Sequence, residues 1–141
     1  RKEFQLPSAP VRALVSVSGL GAYELRLNGR KVGNDILTPG WTSFAKRVPY
    51  QVYDVTGQLH QGSNALGAIL GNGWWKGRIL GGRGRRDRDS LRLLVQLDLV
   101  FADGSTRSVA TDDSWSVAPS PVYADDIYDG EAFDGRLDPK G

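Results

Sequence analysis

The longest regular pattern in the chain is a strict alternation of apolar and polar residues over positions 91–101. The apolar residues that share one face are Leu91, Leu93, Val95, Leu97, Leu99 and Phe101. Arg92, Gln96 and Asp98 fall on the opposite face. A slip of one residue would expose the whole apolar set, so the pattern predicts a strand with a fixed register and one buried face.

Shorter alternating segments predict further strands. Their apolar members are Val11, Ala13, Val15 and Val17 in one segment and Tyr23, Leu25 and Leu27 in another. Asn28-Gly29 follows the second segment and suits a two-residue hairpin turn, because both residues tolerate a positive φ. Further strands are predicted over 48–53, 64–70 and 106–110, with short ones around Trp115, Val122 and Phe133.

These segments together favour an all-β fold. The chain has 18 glycines and 7 prolines and no helical stripe longer than two turns. Eight to ten short strands predict an antiparallel β-sandwich of the jelly-roll type. With 141 residues, we expect a single domain over residues 1–141.

Composition excludes several classes of function. The chain has no cysteine, and its single histidine, His60, is expected at the surface, so disulfides, thiolate metal sites and histidine-based triads are excluded. A net charge of +2 and the lack of a long apolar run predict neither a nucleic-acid nor a membrane partner. The chain does not begin with Met, which indicates a processed protein or a piece of a longer one.

Two polar clusters are candidates for binding. Asn34 and Asp35 place an amide and a carboxylate side by side after the predicted hairpin, and such oxygens suit calcium or sugar hydroxyls. The alternative is an Asx turn. Asn72 and Trp74 follow a predicted strand and offer an oxygen and an apolar ring face. The alternative there is packing, with at least one of Trp74 and Trp75 in the core.

Two charged clusters complete the candidates. The segment 125–134 carries five carboxylates, which need solvent, a cation or a base; a glycosidase pair is the further alternative. Catalysis is disfavoured, because a small sandwich has little means of raising one carboxyl pKa. The segment 81–89 carries Arg83, Arg85, Arg86 and Arg88, which suits either a solvated loop or contact with phosphates or an acidic polysaccharide.

Several segments resemble a known family in their order and spacing. They are Gly19–Gly29, Val32–Asp35, Leu37–Thr42, Arg47–Val48, Tyr50–Thr56, Gly71–Trp74, Thr111–Trp115 and Tyr128–Asp134. From Arg1 to about Leu137 the chain resembles the N-terminal β-sandwich domain of bacterial α-L-rhamnosidases. Some members of that family are calcium-dependent modules that bind L-rhamnose (carbohydrate-binding module family 67).

The resemblance implies a non-catalytic module that binds terminal L-rhamnose on polysaccharides through calcium, with no catalytic residues of its own. The implied sugar ligands are Asn34, Asp35, Asn72 and Trp74, and the implied metal ligands are Asn34, Asp35, Asn72, Asp129 and Glu131. The acid-then-amide order of the binding modules is reversed here as Asn34-Asp35. The resemblance further implies a neighbouring catalytic barrel outside this chain and an extracellular or periplasmic location. The alternative is a structural accessory domain without a sugar site.

Overall fold

The computed structural model describes residues 1–78 and 90–137, and the fold formed by these residues is all-β. The strands, in chain order, are β1 (Lys2–Leu6), β2 (Arg12–Leu20), β3 (Ala22–Leu27), β4 (Arg30–Lys31), β5 (Gln51–Asp54), β6 (Gly62–Gly71), β7 (Arg92–Val100), β8 (Thr106–Ala110), β9 (Val122–Asp126) and β10 (Gly130–Phe133). One helical turn, α1 (Gly73–Lys76), and two 3₁₀ turns, Thr56–Gln58 and Gly135–Leu137, complete these elements. No helix within the described ranges is long and apolar enough to cross a membrane.

The strands form two four-stranded sheets and a separate hairpin. The first sheet has the order β1-β6-β3-β4, the second has the order β5-β2-β7-β8, and β9 pairs with β10. All of these pairings are antiparallel. The prediction of an antiparallel β-sandwich is therefore confirmed.

The core lies between the two sheets and is built from the inward-facing positions of their alternating strands. The first sheet contributes Phe4, Leu6, Tyr23, Leu25, Leu27 and Leu66, and the second contributes Ala13, Val15, Val17, Val95, Leu97, Leu99 and Val109. In β7 the buried residues alternate as the sequence predicts, and Phe101 continues the same face beyond the strand. Register along β7 is fixed by nine pairs with β2, from Arg12–Val100 to Leu20–Arg92.

The predicted Asn28-Gly29 turn is present. Asn28 and Gly29 have φ values of 51° and 78°, the left-handed region that a tight turn between β3 and β4 requires. The Asn28 amide also crosses to β6, where its oxygen accepts from the backbone N–H of Ala65 at 2.9 Å. Just before the first 3₁₀ turn, the Asp54 carboxylate accepts from the backbone N–H of Thr56 at 2.9 Å, two positions along the chain, as in an Asx turn.

Three local predictions are wrong. Val11 lies before the first residue of β2, and its side chain is 58% exposed. The strand predicted over 48–53 begins only at Gln51, since Pro49 has no N–H to give to a ladder. Trp115 lies in a loop instead of a strand; its indole N–H donates to the carbonyl of Ala110 at 3.0 Å while the ring packs against the core.

Candidate functional site

An open cavity of about 530 Å³ lies between the segment after β6 and the β9–β10 hairpin. The side chains that give it chemical character are Asn72, Lys76, Arg78, Tyr123, Asp125, Asp126, Asp129 and Glu131. The first three come from α1 and its flanks, and the others come from the hairpin. The cavity therefore exists only because the hairpin is held against the end of β6.

Asp125 makes the first attachment of the hairpin to the sandwich. Its Oδ1 accepts from the backbone N–H of Asn72 at 2.6 Å, and the Asn72 side-chain amide donates to the carbonyl of Asp125 at 2.8 Å. Gly71 permits this approach, because a Cβ at that position would lie 2.9 Å from the same carboxylate oxygen. The backbone N–H and the side-chain amide of Asn72 therefore both hold the hairpin in place.

Asp126 makes the second attachment. Its carboxylate accepts from the backbone N–H groups of Arg78 at 2.6 Å and Tyr128 at 3.0 Å. Desolvation alone would raise the pKa of Asp126, but these two N–H groups and the Arg78 charge outweigh it and lower the pKa below its ordinary value. Asp126 therefore accepts the N–H groups of Arg78 and Tyr128 in its ionised form.

The chemistry of the cavity is set by the charged side chains that do not attach the hairpin to the sandwich. Arg78 pairs with Asp129 at 2.5 Å on the surface. No hydrogen bond or ion pair within the described ranges engages the side chains of Lys76 and Glu131, although both line the cavity. Two cations face four carboxylates, so the lining has a formal surplus of two negative charges, which disfavours an anionic ligand.

The Asn34-Asp35 loop is placed elsewhere, against β5. Both residues are exposed, and Asp35 Oδ2 accepts from the hydroxyl of Tyr53 at 2.7 Å. Burial and this hydrogen bond raise the pKa of Tyr53 well above its usual range. Gly33 lies on the Tyr53 ring with a φ of 70°. Neither Asn34 nor Asp35 lines the cavity.

Trp74 is placed in an aromatic stack. Its ring lies parallel to that of Trp41, with centroids 5.4 Å apart and planes 6° from parallel, while Trp75 meets Phe44 edge to face. Trp41 is 55% exposed and covers one face of Trp74. The expectation that Trp74 or Trp75 belongs to the core is wrong: both are half-buried, and they hold the 32–50 connection against α1.

The six predicted ligands therefore divide among three places: the β5 loop (Asn34 and Asp35), the aromatic stack (Trp74) and the cavity (Asn72, Asp129 and Glu131). Within residues 1–78 and 90–137, no three His, Cys, Asp or Glu side chains come together to hold a metal, so the carboxylates of Asp35, Asp129 and Glu131 do not form one centre. The five predicted metal ligands do not fit a calcium ion as a single set. The arginine segment 81–89 lies outside the described residues.

Sequence reasoning missed the residues that build the cavity. In the sequence, Asp125 and Asp126 stand out only as two of five clustered carboxylates. Nothing in their spacing shows that each accepts a backbone N–H from a segment about 50 positions away. Lys76 and Arg78 belong to no sequence motif that indicates a site. Trp41 stands in the quoted Leu37–Thr42 segment, but a stacking partner cannot be read from that segment alone.

Comparison with known proteins identifies the fold and the family. Residues 8–141 match the family described as the α-L-rhamnosidase N-terminal domain. The chain belongs to this family. Over the whole chain it is 41% identical to an α-L-rhamnosidase of Streptomyces avermitilis, and it is 36% identical to one of Alteromonas sp. (strain LOR).

Solved rhamnosidase structures contain the same fold. The S. avermitilis enzyme, solved in complex with L-rhamnose, superposes on 96% of this rhamnosidase-family chain with a TM-score of 0.91 and 39% identity. The native enzyme of Aspergillus terreus superposes on 99% with a TM-score of 0.92 and 42% identity. The chain spans 13% and 16% of those two proteins and 14% and 16% of the two curated relatives, so most of their length has no counterpart in it.

Proposed function

We propose that this chain is a non-catalytic accessory domain of a larger α-L-rhamnosidase and that its role there is structural. In this role it packs against the remainder of the polypeptide and stabilises it. The observation that carries the proposal is the match to the N-terminal domain family over residues 8–141, combined with relatives of which the chain spans only 14–16%. The neighbouring catalytic domain is accordingly the partner that we propose.

The chemistry of the cavity supports a role without catalysis. Asp125 and Asp126 accept short backbone hydrogen bonds, and Asp129 is paired with Arg78. A glycosidase acid needs a carboxyl whose pKa is raised by a hydrophobic or like-charged environment. The pKa of Asp126 is instead lowered, and Glu131 is exposed at the rim. We therefore expect no hydrolysis of an aryl rhamnoside by this chain alone.

Removal of the domain from the larger rhamnosidase tests the proposal. The expected result is a lower midpoint of thermal inactivation with KM for an aryl rhamnoside nearly unchanged, because a domain that only supports its neighbour does not touch substrate. Unchanged inactivation after removal contradicts the structural role. Hydrolysis by the 141-residue chain alone contradicts the absence of catalysis.

A second candidate is calcium-dependent binding of terminal L-rhamnose. Its support is that Asn72, Asp129 and Glu131 line one cavity, and that one relative has been solved in complex with L-rhamnose. Because no three acidic side chains group together within the described ranges, such a site would rely on amide and sugar oxygens beside one or two carboxylates. A single deoxyhexose offers few contacts, so Kd is expected on the order of 0.1–1 mM.

Titration calorimetry with L-rhamnose tests this second candidate. Binding heat with calcium and none after chelation supports it, equal heat in both conditions removes the metal, and no heat in either condition removes the sugar. Two variants locate the site. Glu131→Gln should weaken binding at the cavity, whereas Asn34→Ala with Asp35→Ala should weaken it at the β5 loop.

A further inference from the structure

Asparagine followed directly by glycine occurs twice in the chain, as Asn28-Gly29 and Asn72-Gly73. This dipeptide is the one most open to deamidation, because glycine has no Cβ to hinder attack by its backbone nitrogen on the preceding carboxamide. Both asparagines are half-buried, so exposure does not distinguish them. The hydrogen bonds that hold the two carboxamides do.

The Asn28 carboxamide is held by three hydrogen bonds within the sandwich. Its Nδ2 donates to the carbonyl of Gln58 and to Oδ1 of Asn64, both at 2.9 Å, and its Oδ1 accepts from the backbone N–H of Ala65 at 2.9 Å. Asn64 is itself 2% exposed. The carboxamide therefore cannot turn toward the nitrogen of Gly29 unless these elements of the sandwich separate.

The Asn72 carboxamide is held by the β9–β10 hairpin instead. Its Nδ2 donates to the carbonyl of Asp125 at 2.8 Å, and within residues 1–78 and 90–137 no hydrogen bond engages its Oδ1. The hairpin contains no buried residue, and a two-stranded ribbon without core contacts opens at a low cost in free energy. The restraint on Asn72 is therefore only as strong as the attachment of the hairpin.

The backbone of Asn72 adds a second restraint that depends on α1. Its φ of −61° and ψ of −41° are helical, and closure of a succinimide ring requires ψ to rotate away from the helical value. However, α1 is a single turn of four residues, which has little stability of its own. The attached hairpin thus keeps Asn72 in an unreactive geometry, and an open hairpin leaves both its side chain and its backbone free to rotate.

We infer that Asn72 is a deamidation site that the β9–β10 hairpin protects. In the open state the backbone nitrogen of Gly73 bonds to Cγ of Asn72, the bond from Cγ to Nδ2 breaks, and the Gly73 proton leaves with Nδ2 as ammonia. Water then adds to either carbonyl of the succinimide and gives aspartate or isoaspartate at position 72. This reaction is independent of the proposed structural role in a larger rhamnosidase.

The product does not hold the hairpin as asparagine does. A carboxylate at position 72 has no hydrogen to donate to the Asp125 carbonyl, and it places a second negative charge beside the Asp125 carboxylate. The isoaspartate form also adds a carbon atom to the main chain just before α1. Deamidation therefore converts a reversible opening of the hairpin into a permanent one.

Peptide mass spectrometry of the 141-residue chain tests this site. The parent protein, Asp125→Ala and Asp103→Ala are incubated at mildly alkaline pH below the unfolding temperature, and aspartate and isoaspartate at positions 28 and 72 are quantified over time. Asp125→Ala weakens the attachment of the hairpin at Asn72, whereas Asp103→Ala removes a similar contact from a carboxylate to a backbone N–H in the β7–β8 turn. Position 28 reports any loosening of the whole sandwich.

Conversion at position 72 is expected to rise at least about fivefold in Asp125→Ala and to keep the parent rate in Asp103→Ala, with position 28 slower throughout. No rise at position 72 in Asp125→Ala, or an equal rise at both positions, overturns the inference. Asn72→Asp provides a second measurement, because it should accelerate hydrogen exchange over residues 122–133. Unchanged exchange there would overturn the claim that the product releases the hairpin.

Discussion

The sandwich and the β9–β10 hairpin are held together by different forces. The sandwich buries a continuous apolar core built from both sheets. Its large, nearly inaccessible side chains include Leu25, Leu27, Leu66, Leu97, Leu99, Val15 and Val17. Residues 111–137, which include the hairpin, contain no buried residue. The hairpin is attached through carboxylates that accept backbone N–H groups. Apolar burial thus determines the fold, and a few polar contacts determine the cavity.

The largest effect is expected in the sandwich. Leu97→Ala removes a side chain with 0% exposure from β7 and should destabilise the protein by about 3 kcal/mol. Leu94→Ala, on the opposite face of the same strand, should change the free energy of unfolding by less than about 0.5 kcal/mol. Urea unfolding of both variants measures the contrast. Similar losses in the two variants would contradict the assignment of the core face.

A smaller and more local effect is expected at the hairpin. Asp125→Ala leaves the backbone N–H of Asn72 without its acceptor and should destabilise the hairpin contact by about 1–2 kcal/mol. Hydrogen exchange should accelerate over residues 122–133 and stay unchanged in β2 and β7. Asp103→Ala, which removes the cap of the β7–β8 turn, is the matched control and should leave the hairpin protected. Equal acceleration in the sandwich would refute the separation of the two regions.

The smallest effect is a pH dependence confined to the hairpin. The pKa of Asp126 is lowered in the folded protein, so its contribution is fully present above the ordinary Asp pKa of about 4 and is lost as pH falls through the lower folded value. Exchange of the Arg78 and Tyr128 amides, corrected for the intrinsic rate, should therefore accelerate on acidification. In Asp126→Asn this pH-dependent part should disappear. An unchanged dependence in that variant would show that another group controls it.

The same contrast explains what the sequence could predict. Period-two runs such as 91–101 report burial directly, so the buried face of β7 and the β-sandwich follow from the pattern of residues, whereas β1 (Lys2–Leu6) carries no such run and was not predicted. The Asn28-Gly29 turn follows from its required φ values. Strand ends are less predictable, because Val11 and Tyr50 continue the apolar pattern beyond the last ladder pair and remain exposed.

The arrangement of the site follows from long-range contacts that local patterns do not contain. Asp35 and Asn72 are both typical ligand residues, but one is bound to Tyr53 and the other to Asp125. Tyr53 is 18 positions from Asp35 along the chain, and Asp125 is 53 positions from Asn72. The sequence offers the Trp74 ring as a surface for a sugar, but in the structure Trp41 covers one of its faces. Resemblance to a family predicts which residues to inspect, whereas their distances come only from the folded chain.

The central claim is that this domain supports the rest of a rhamnosidase, and Leu97→Ala in the larger protein tests it most directly. The measurement is differential scanning calorimetry with activity on an aryl rhamnoside followed at the same temperatures. The account predicts that loss of activity shifts to lower temperature together with unfolding of this domain. Inactivation at the original temperature after the domain has unfolded would contradict the account.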